Sequence, residues 1–96
     1  MSDFILLNAE TGYTTCLDRL AMLGYQRVPM VLARGEFAQR GHIIDVFPAN
    51  HTHPVRMEFD DQALIRMQHF TVHTQRSTGG PLVDSRVYPH QADDPE

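Results

Sequence analysis

The chain has 96 residues, enough for one domain and too few for two independent hydrophobic cores. Its hydrophobic content of 42% is typical of a folded globular domain and excludes an intrinsically disordered segment. The net charge of −4 argues against a non-specific nucleic-acid binder, because such proteins usually carry a basic excess. No apolar run approaches the ~20 residues that a membrane-spanning helix needs, so the expected location is the cytoplasm.

The first quarter of the chain predicts a short strand and then a single helix. Residues 4–7 are apolar and are typical of a strand. Thr15, with Asp18 three residues later, resembles a capping box, which predicts the start of the helix there. Leucines at helical spacing follow, and Gly24 is placed to end the helix. A helix of two to three turns needs packing against another element to persist.

From Tyr25 onward the hydrophobic pattern changes to a period of two, which indicates strands. The predicted extended segments are 26–33 (interrupted at Pro29), 35–41, 42–47, 55–59, 63–70 and 82–88. Turns are predicted at residues 48–50 and 60–62, and a flexible loop at 77–80.

These elements predict the α+β class, with one short N-terminal helix packed on a mainly antiparallel β-sheet. We expect a single domain over residues 1–90, followed by an acidic polar tail over residues 91–96.

The six histidines do not predict a metal site. His51 and His53 lie two residues apart on a segment expected to be extended, so their side chains should point to opposite faces. His69 and His73 could share a face only in a helix, which their sequence does not favour. Since a zinc site needs three or four converging ligands, we interpret these residues as surface or turn histidines.

The sequence carries no local motif for catalysis. It lacks a phosphate-binding loop and a dinucleotide-binding glycine motif, and it has no Gly-x-Ser-x-Gly element. Cys16 is the single cysteine, so it cannot form an internal disulfide, and we expect it to pack as a small hydrophobe. We therefore predict no enzyme activity, no cofactor and no small-molecule substrate.

Arginine is the better functional lead, because all eight basic residues are arginines and none is lysine. The planar guanidinium matches a carboxylate in bidentate geometry. Arg27 and Arg40 both lie near predicted strand ends, and they would lie close together if their strands pair. Three other arginines are interpreted as a solvated face: Arg19, Arg56 and Arg66. Asp45, inside an apolar strand, is either exposed or, as we prefer, the partner of an arginine across the sheet.

Four spaced motifs resemble one known family. They are Gly24-Tyr25-Gln26-Arg27, Arg34-Gly35-Glu36-Phe37-Ala38-Gln39-Arg40-Gly41, Ile44-Asp45-Val46-Phe47-Pro48 and Thr74-Gln75-Arg76-Ser77. Together they resemble the UvrA-interaction domain shared by the excision-repair helicase subunit UvrB and the transcription-repair coupling factor (Mfd). The resemblance extends from about Phe4 to His90, and the second and fourth motifs look more like the coupling factor.

The resemblance implies a protein-protein interaction module that binds UvrA in nucleotide-excision or transcription-coupled DNA repair, with only indirect contact to DNA. It implies that Arg27 and Arg40 contact UvrA, and that Phe37 and Phe47 belong to the same partner-binding set. Ala38 stands where UvrB usually carries a further arginine. The turn at residues 60–63 lacks the glycine usual in the family, so an aspartate must adopt the left-handed conformation there.

No helicase motor accompanies these motifs in this sequence. We therefore expect either a domain excised from a larger protein or a stand-alone competitor that regulates docking to UvrA. Two alternatives stay open. One is a nucleic-acid-binding accessory domain that places its arginine face on phosphates, and the other is a relative with a changed partner.

Overall fold

The computed structural model describes residues 4–89, which contain one helix and eight strands. In chain order they are β1 (Ile5–Leu7), α1 (Tyr13–Met22), β2 (Gln26–Arg27), β3 (Glu36–Arg40), β4 (Ile43–Val46), β5 (Val55–Asp60), β6 (Ala63–Phe70), β7 (Ser77–Thr78) and β8 (Ser85–Val87). The predicted α+β class is confirmed. The predicted acidic tail, residues 91–96, lies outside the described residues.

The strands form two sheets. Six of them pair in the order β2-β3-β4-β5-β6-β7, and β1 pairs with β8 in a separate two-stranded sheet. Only the β2–β3 pair is parallel among the described strands, so the mainly antiparallel prediction is also confirmed. The six-stranded sheet therefore has β2 and β7 as its two edges.

One face of the six-stranded sheet, here called the helix face, packs against α1 and forms the main hydrophobic core. Cys16 and Leu20 of the helix are fully buried in the same cluster as Phe37, Ile44 and Met57. The sulfur atoms of Cys16 and Met57 lie 4.0 Å apart. Burial raises the pKa of the Cys16 thiol to about 12, so this residue packs as a small hydrophobe, as predicted, and is a poor nucleophile.

The start of the helix differs from the prediction. The helix begins at Tyr13, so Thr15 lies inside it. The N-cap residue is Gly12, which has no side chain that could bond to the first turn. A residue distant in sequence takes that role: the Gln62 side-chain oxygen accepts a hydrogen bond from the Thr14 amide at 3.2 Å. The capping-box prediction was wrong because the hairpin turn supplies the acceptor that a free helix end needs.

Several strand boundaries differ from the prediction, and the last strand, for example, begins at Ser85 and not at residue 82. The segment 26–33 contains only the two-residue strand β2, after which the chain leaves the sheet edge. The loop predicted at residues 77–80 begins instead with β7, which pairs Ser77 and Thr78 with the end of β6. The turn between β5 and β6 is as predicted, and Asp61 has a left-handed φ of 58° there.

The opposite face of this sheet, here called the outer face, carries a second and smaller cluster. Val31, Ala38, Phe47 and Phe70 pack together on it and are buried. Residues 28–34, the connection between β2 and β3, supply Val31 and so cover part of this face. The outer face is thus closed by loops, whereas the helix face is closed by a helix.

Candidate protein-interaction surface

Arg27 is exposed at the edge of the six-stranded sheet. Its Nη2 atom donates a hydrogen bond of 2.5 Å to the Gln39 side-chain oxygen. Gln39 in turn donates to the Tyr13 hydroxyl, which donates to the Gly41 carbonyl at 2.7 Å. Among residues 4–89, no carboxylate lies within ion-pair distance of this guanidinium. The charge of Arg27 is oriented by neutral groups and stays open to a partner.

Arg40 ends β3 and is 53% exposed, and its Nη2 atom lies 3.5 Å from an oxygen of Asp45. Asp45 is only 2% exposed, and its main partner is Arg56. Arg56 donates to both carboxylate oxygens, at 2.9 and 3.1 Å, in bidentate geometry. Two guanidinium groups therefore share one carboxylate, and Arg40 is the more distant and the more exposed of the two.

Arg56 is not part of a solvated face, so that prediction was wrong. Its guanidinium lies 4.3 Å from the centre of the Phe70 ring, and its Nη1 atom donates to the Gln75 carbonyl at 2.8 Å. Asp45 has an arginine partner across the sheet, as we preferred, because register places the two residues opposite each other. The side chain of Arg56 ties the outer face to the loop that follows β6.

Arg27 and Arg40 do not lie side by side. Their strands pair, as expected, but the register places Arg27 opposite Phe37, which belongs to the helix face. Arg40 lies three residues after Phe37 in β3, so its side chain belongs to the outer face. The two arginines therefore flank the sheet from opposite faces near its β2 edge.

Phe37 and Phe47, the other two residues of the expected partner-binding set, are both buried. Phe37 lies in the main core under α1. Phe47 lies in the outer cluster, and the guanidinium of Arg34 stacks 5.3 Å from the centre of its ring. In the free domain neither ring presents an open surface.

Sequence reasoning missed Gln75, which fixes the loop between β6 and β7. Gln75 has a left-handed φ of 59°, and its side-chain amide donates to the carbonyls of Val31 and Val72 at 3.2 and 2.9 Å. It belongs to the Thr74-Gln75-Arg76-Ser77 motif, so the motif was visible in the sequence while its role was not. The motif joins the loop after β6 to the connection between β2 and β3.

Three histidines approach each other, which the sequence did not predict. The ring centres of His51 and His69 are 5.5 Å apart, and those of His53 and His69 are 6.3 Å apart. His51 and His53 do not diverge to opposite faces, because the chain bends at residues 52–53. Burial lowers the pKa of His51, and the neighbouring His69 lowers it further. Within residues 4–89 no three potential ligands are arranged to hold a metal ion.

No helix in the described part of the chain is long and apolar enough to cross a membrane.

The chain is similar in sequence to a known protein family and to several bacterial proteins. Residues 5–92 match the family model described as the UvrB interaction domain. The transcription-repair-coupling factor of Mycobacterium tuberculosis (strain CDC 1551 / Oshkosh) is 46% identical over 68 residues, which are 71% of this chain and 6% of that protein.

Proteins of two other bacteria give similar matches. The transcription-repair-coupling factor of Bacillus subtilis (strain 168) is 44% identical over 60 residues, which are 62% of this chain and 5% of that protein. The protein of the same name from Haemophilus influenzae is 39% identical over 59 residues, again 62% of this chain and 5% of the relative. The chain thus spans 5–6% of the length of these curated relatives.

Proposed function

The chain belongs to the UvrB interaction domain family, as its motifs predicted, and on this premise we propose that it is a docking module that binds UvrA in DNA repair. Its similarity to transcription-repair-coupling factors favours a role in the transcription-coupled branch of nucleotide-excision repair. The module acts by binding in the cytoplasm and catalyses no reaction of its own. Within a larger protein it would recruit UvrA. Acting alone, it would compete with UvrB or the coupling factor for the same surface.

The observation that carries this proposal is the state of the two motif arginines. Arg27 is held by neutral groups, and Arg40 shares a carboxylate that Arg56 already occupies. Both guanidiniums are exposed, and neither has a carboxylate to itself, since the one near Arg40 already holds Arg56. Such groups fit acidic side chains on a protein partner, and Arg27, already oriented by Gln39, loses little conformational freedom when it binds.

Binding of the purified chain to purified UvrA, measured by calorimetry, tests the proposal. Arg27→Ala and Arg40→Ala should each weaken binding by about 2–5 kcal/mol if the charge pairs are desolvated in the complex. Arg66→Ala is the matched control, since Arg66 is also exposed and lies on β6, away from the β2 edge. The control should bind as the unmodified chain does.

Removal of Arg40 should leave the fold intact, because Asp45 keeps its bidentate bonds to Arg56. Thermal unfolding of each variant separates a binding defect from a folding defect. Failure of the unmodified chain to bind UvrA would overturn the proposal. Unchanged affinity in both arginine variants would remove these residues from the interface. Affinity for DNA that decreases steeply with salt would instead favour the phosphate-binding alternative.

A further inference from the structure

The connection between β2 and β3, residues 28–34 and here called the strap, exposes two large apolar side chains. Met30 is 48% exposed and Leu32 is 59% exposed, while Val31 between them is fully buried. The strap therefore directs the Val31 side chain into the outer face and the Met30 and Leu32 side chains away from it. Exposed apolar residues are common when they occur singly, but paired exposure on an ordered segment calls for an explanation.

The backbone of the strap is fixed at several points. The Glu36 carboxylate accepts hydrogen bonds from the amides of Leu32 and Ala33 at 2.9 and 3.0 Å. The Gln75 amide donates to the Val31 carbonyl at 3.2 Å. At the end of the strap, Arg34 donates to the His51 carbonyl at 2.7 Å. Met30 and Leu32 are thus presented by a preorganised segment, which reduces the entropy lost on binding.

Along the chain, the strap lies between the two motif arginines. Arg27 immediately precedes it, and Val31 packs with Ala38, two residues before Arg40 on the same face of β3. The small side chain of Ala38 allows the strap to lie close to the sheet. Glu36 is the only acid between Arg19 and Arg40, and its carboxylate oxygen is already bonded to the strap amides. The apolar pair therefore lies in a stretch of the chain whose arginines outnumber its acids.

We infer that Met30 and Leu32 form the apolar centre of a docking surface along the β2 edge, with Arg27 on one side of that edge and Arg40 on the other. The partner that fits is a protein with an apolar surface patch bordered by carboxylates. This inference rests on the proposed function in taking UvrA as that partner. Buried apolar anchors at the centre and charged groups at the rim are the usual division of binding energy at protein interfaces.

The double variant Met30→Gln/Leu32→Gln tests the inference by its affinity for UvrA. We expect binding to weaken by roughly 10- to 100-fold, which is typical when interface anchors are lost. The matched control is Ile65→Gln/Val83→Gln, because these side chains are 63% and 86% exposed and lie outside the strap. The control should stay within about threefold of the unmodified chain, a change that corresponds to less than the cost of one lost anchor.

The salt dependence of binding distinguishes the strap from the arginines. Arg27→Ala should reduce the sensitivity of the association rate to salt, because a rim charge acts on association. The strap variant should keep that sensitivity and dissociate faster. Leu32→Ala alone, with thermal unfolding as a check of the fold, gives a milder second test.

The outcomes separate the two proposals. If the strap variants bind UvrA as tightly as the unmodified chain while Arg27→Ala weakens binding, the inference is wrong and the proposed function stands. If the unmodified chain does not bind UvrA, the proposed function fails and the inference fails with it. A loss of affinity equal in the strap variant and in the Ile65/Val83 control would also overturn the inference, since any exposed apolar residue would then suffice.

Discussion

The two faces of the six-stranded sheet are built on different principles. The helix face is an ordinary apolar core, closed by Cys16 and Leu20 of α1. The outer face has a buried ion pair, Asp45 with Arg56, next to its small apolar cluster, and loops close it. Apolar packing is not directional, whereas a bidentate ion pair fixes angles as well as distances. The comparison indicates that both faces stabilise the domain and that only the outer face also fixes the angles at which its elements meet.

Among the variants that test this comparison, the one that breaks the ion pair should lose the most unfolding free energy. Arg56→Ala removes the bidentate partner of a carboxylate that is nearly inaccessible to solvent and leaves only the longer contact with Arg40. Removal of one partner of a buried pair costs about 3–5 kcal/mol, because the remaining charge is uncompensated. Urea unfolding should show this loss of free energy.

The control for this variant lies on the helix face. Leu20→Ala should destabilise the domain by a similar amount, about 3 kcal/mol, through a cavity in the core. Under conditions where both variants are folded, only Arg56→Ala should also weaken UvrA binding, because Arg56 contacts the loop that holds the strap. Equal effects of both variants on binding would show that the two faces do not differ in this way.

A smaller effect is expected at Gln75, which joins the loop after β6 to the strap. Gln75→Ala loses the two side-chain hydrogen bonds and keeps the left-handed backbone, so we expect a loss of about 2 kcal/mol in unfolding free energy. Gln75→Gly loses the same bonds but relieves the strain, and it should be the more stable of the two by roughly 0.5–1 kcal/mol. Equal stabilities would show that the backbone conformation carries no cost at this position.

Much of the helix face could be predicted from the sequence, because its signals are local. Period-two alternation at Val55, Met57 and Phe59 placed that strand and its buried side, and the isolated Cys16 was expected to pack. The hairpin turn was also expected, with an aspartate in the left-handed conformation, and the structure shows that this aspartate is Asp61. Each of these features depends on residues within a few positions along the chain.

The outer face was predicted less well, because its contacts are distant in sequence. Alternation marked Arg56 as polar, but only the loop after β6 and the strap decide whether that side of the strand is covered. The expectation that Arg27 and Arg40 would lie together failed for a similar reason. The β2–β3 register, which the sequence does not reveal, puts the two arginines on opposite faces. Asp45 was assigned an arginine partner correctly, since a carboxylate in an apolar strand requires one.

Gln62 provides the next test, because it links the hairpin turn to the helix over 48 residues. Its side-chain amide accepts from the Thr14 amide and donates to the Thr14 hydroxyl at 3.3 Å. Gln62→Ala should cost about 1 kcal/mol, the usual loss when the acceptor at a helix N-terminus is removed. Thr15→Ala should reduce the unfolding free energy by less than Gln62→Ala does. A larger loss in Thr15→Ala would instead support the capping box that the sequence suggested.

The smallest expected effect concerns pH and the histidines beside the bend at residues 52–53. His51 faces the His69 ring, and its carbonyl accepts a hydrogen bond from the Arg34 guanidinium, so a second titratable ring and a cation adjoin it. Burial and His69 lower its pKa below the usual 6.5, so the unfolded chain binds a proton more readily than the folded domain does. The contribution of His51 to stability is therefore fully present above pH ~6.5 and is lost as the pH falls toward the lower folded-state pKa.

Unfolding free energies measured between pH 7.5 and 5 should decrease less in His51→Gln than in the unmodified chain. His73→Gln, at an exposed position, should leave the slope unchanged. An identical slope in all three proteins would mean that this histidine carries no pH dependence, and that the bend tolerates a charge as readily as an exposed loop does.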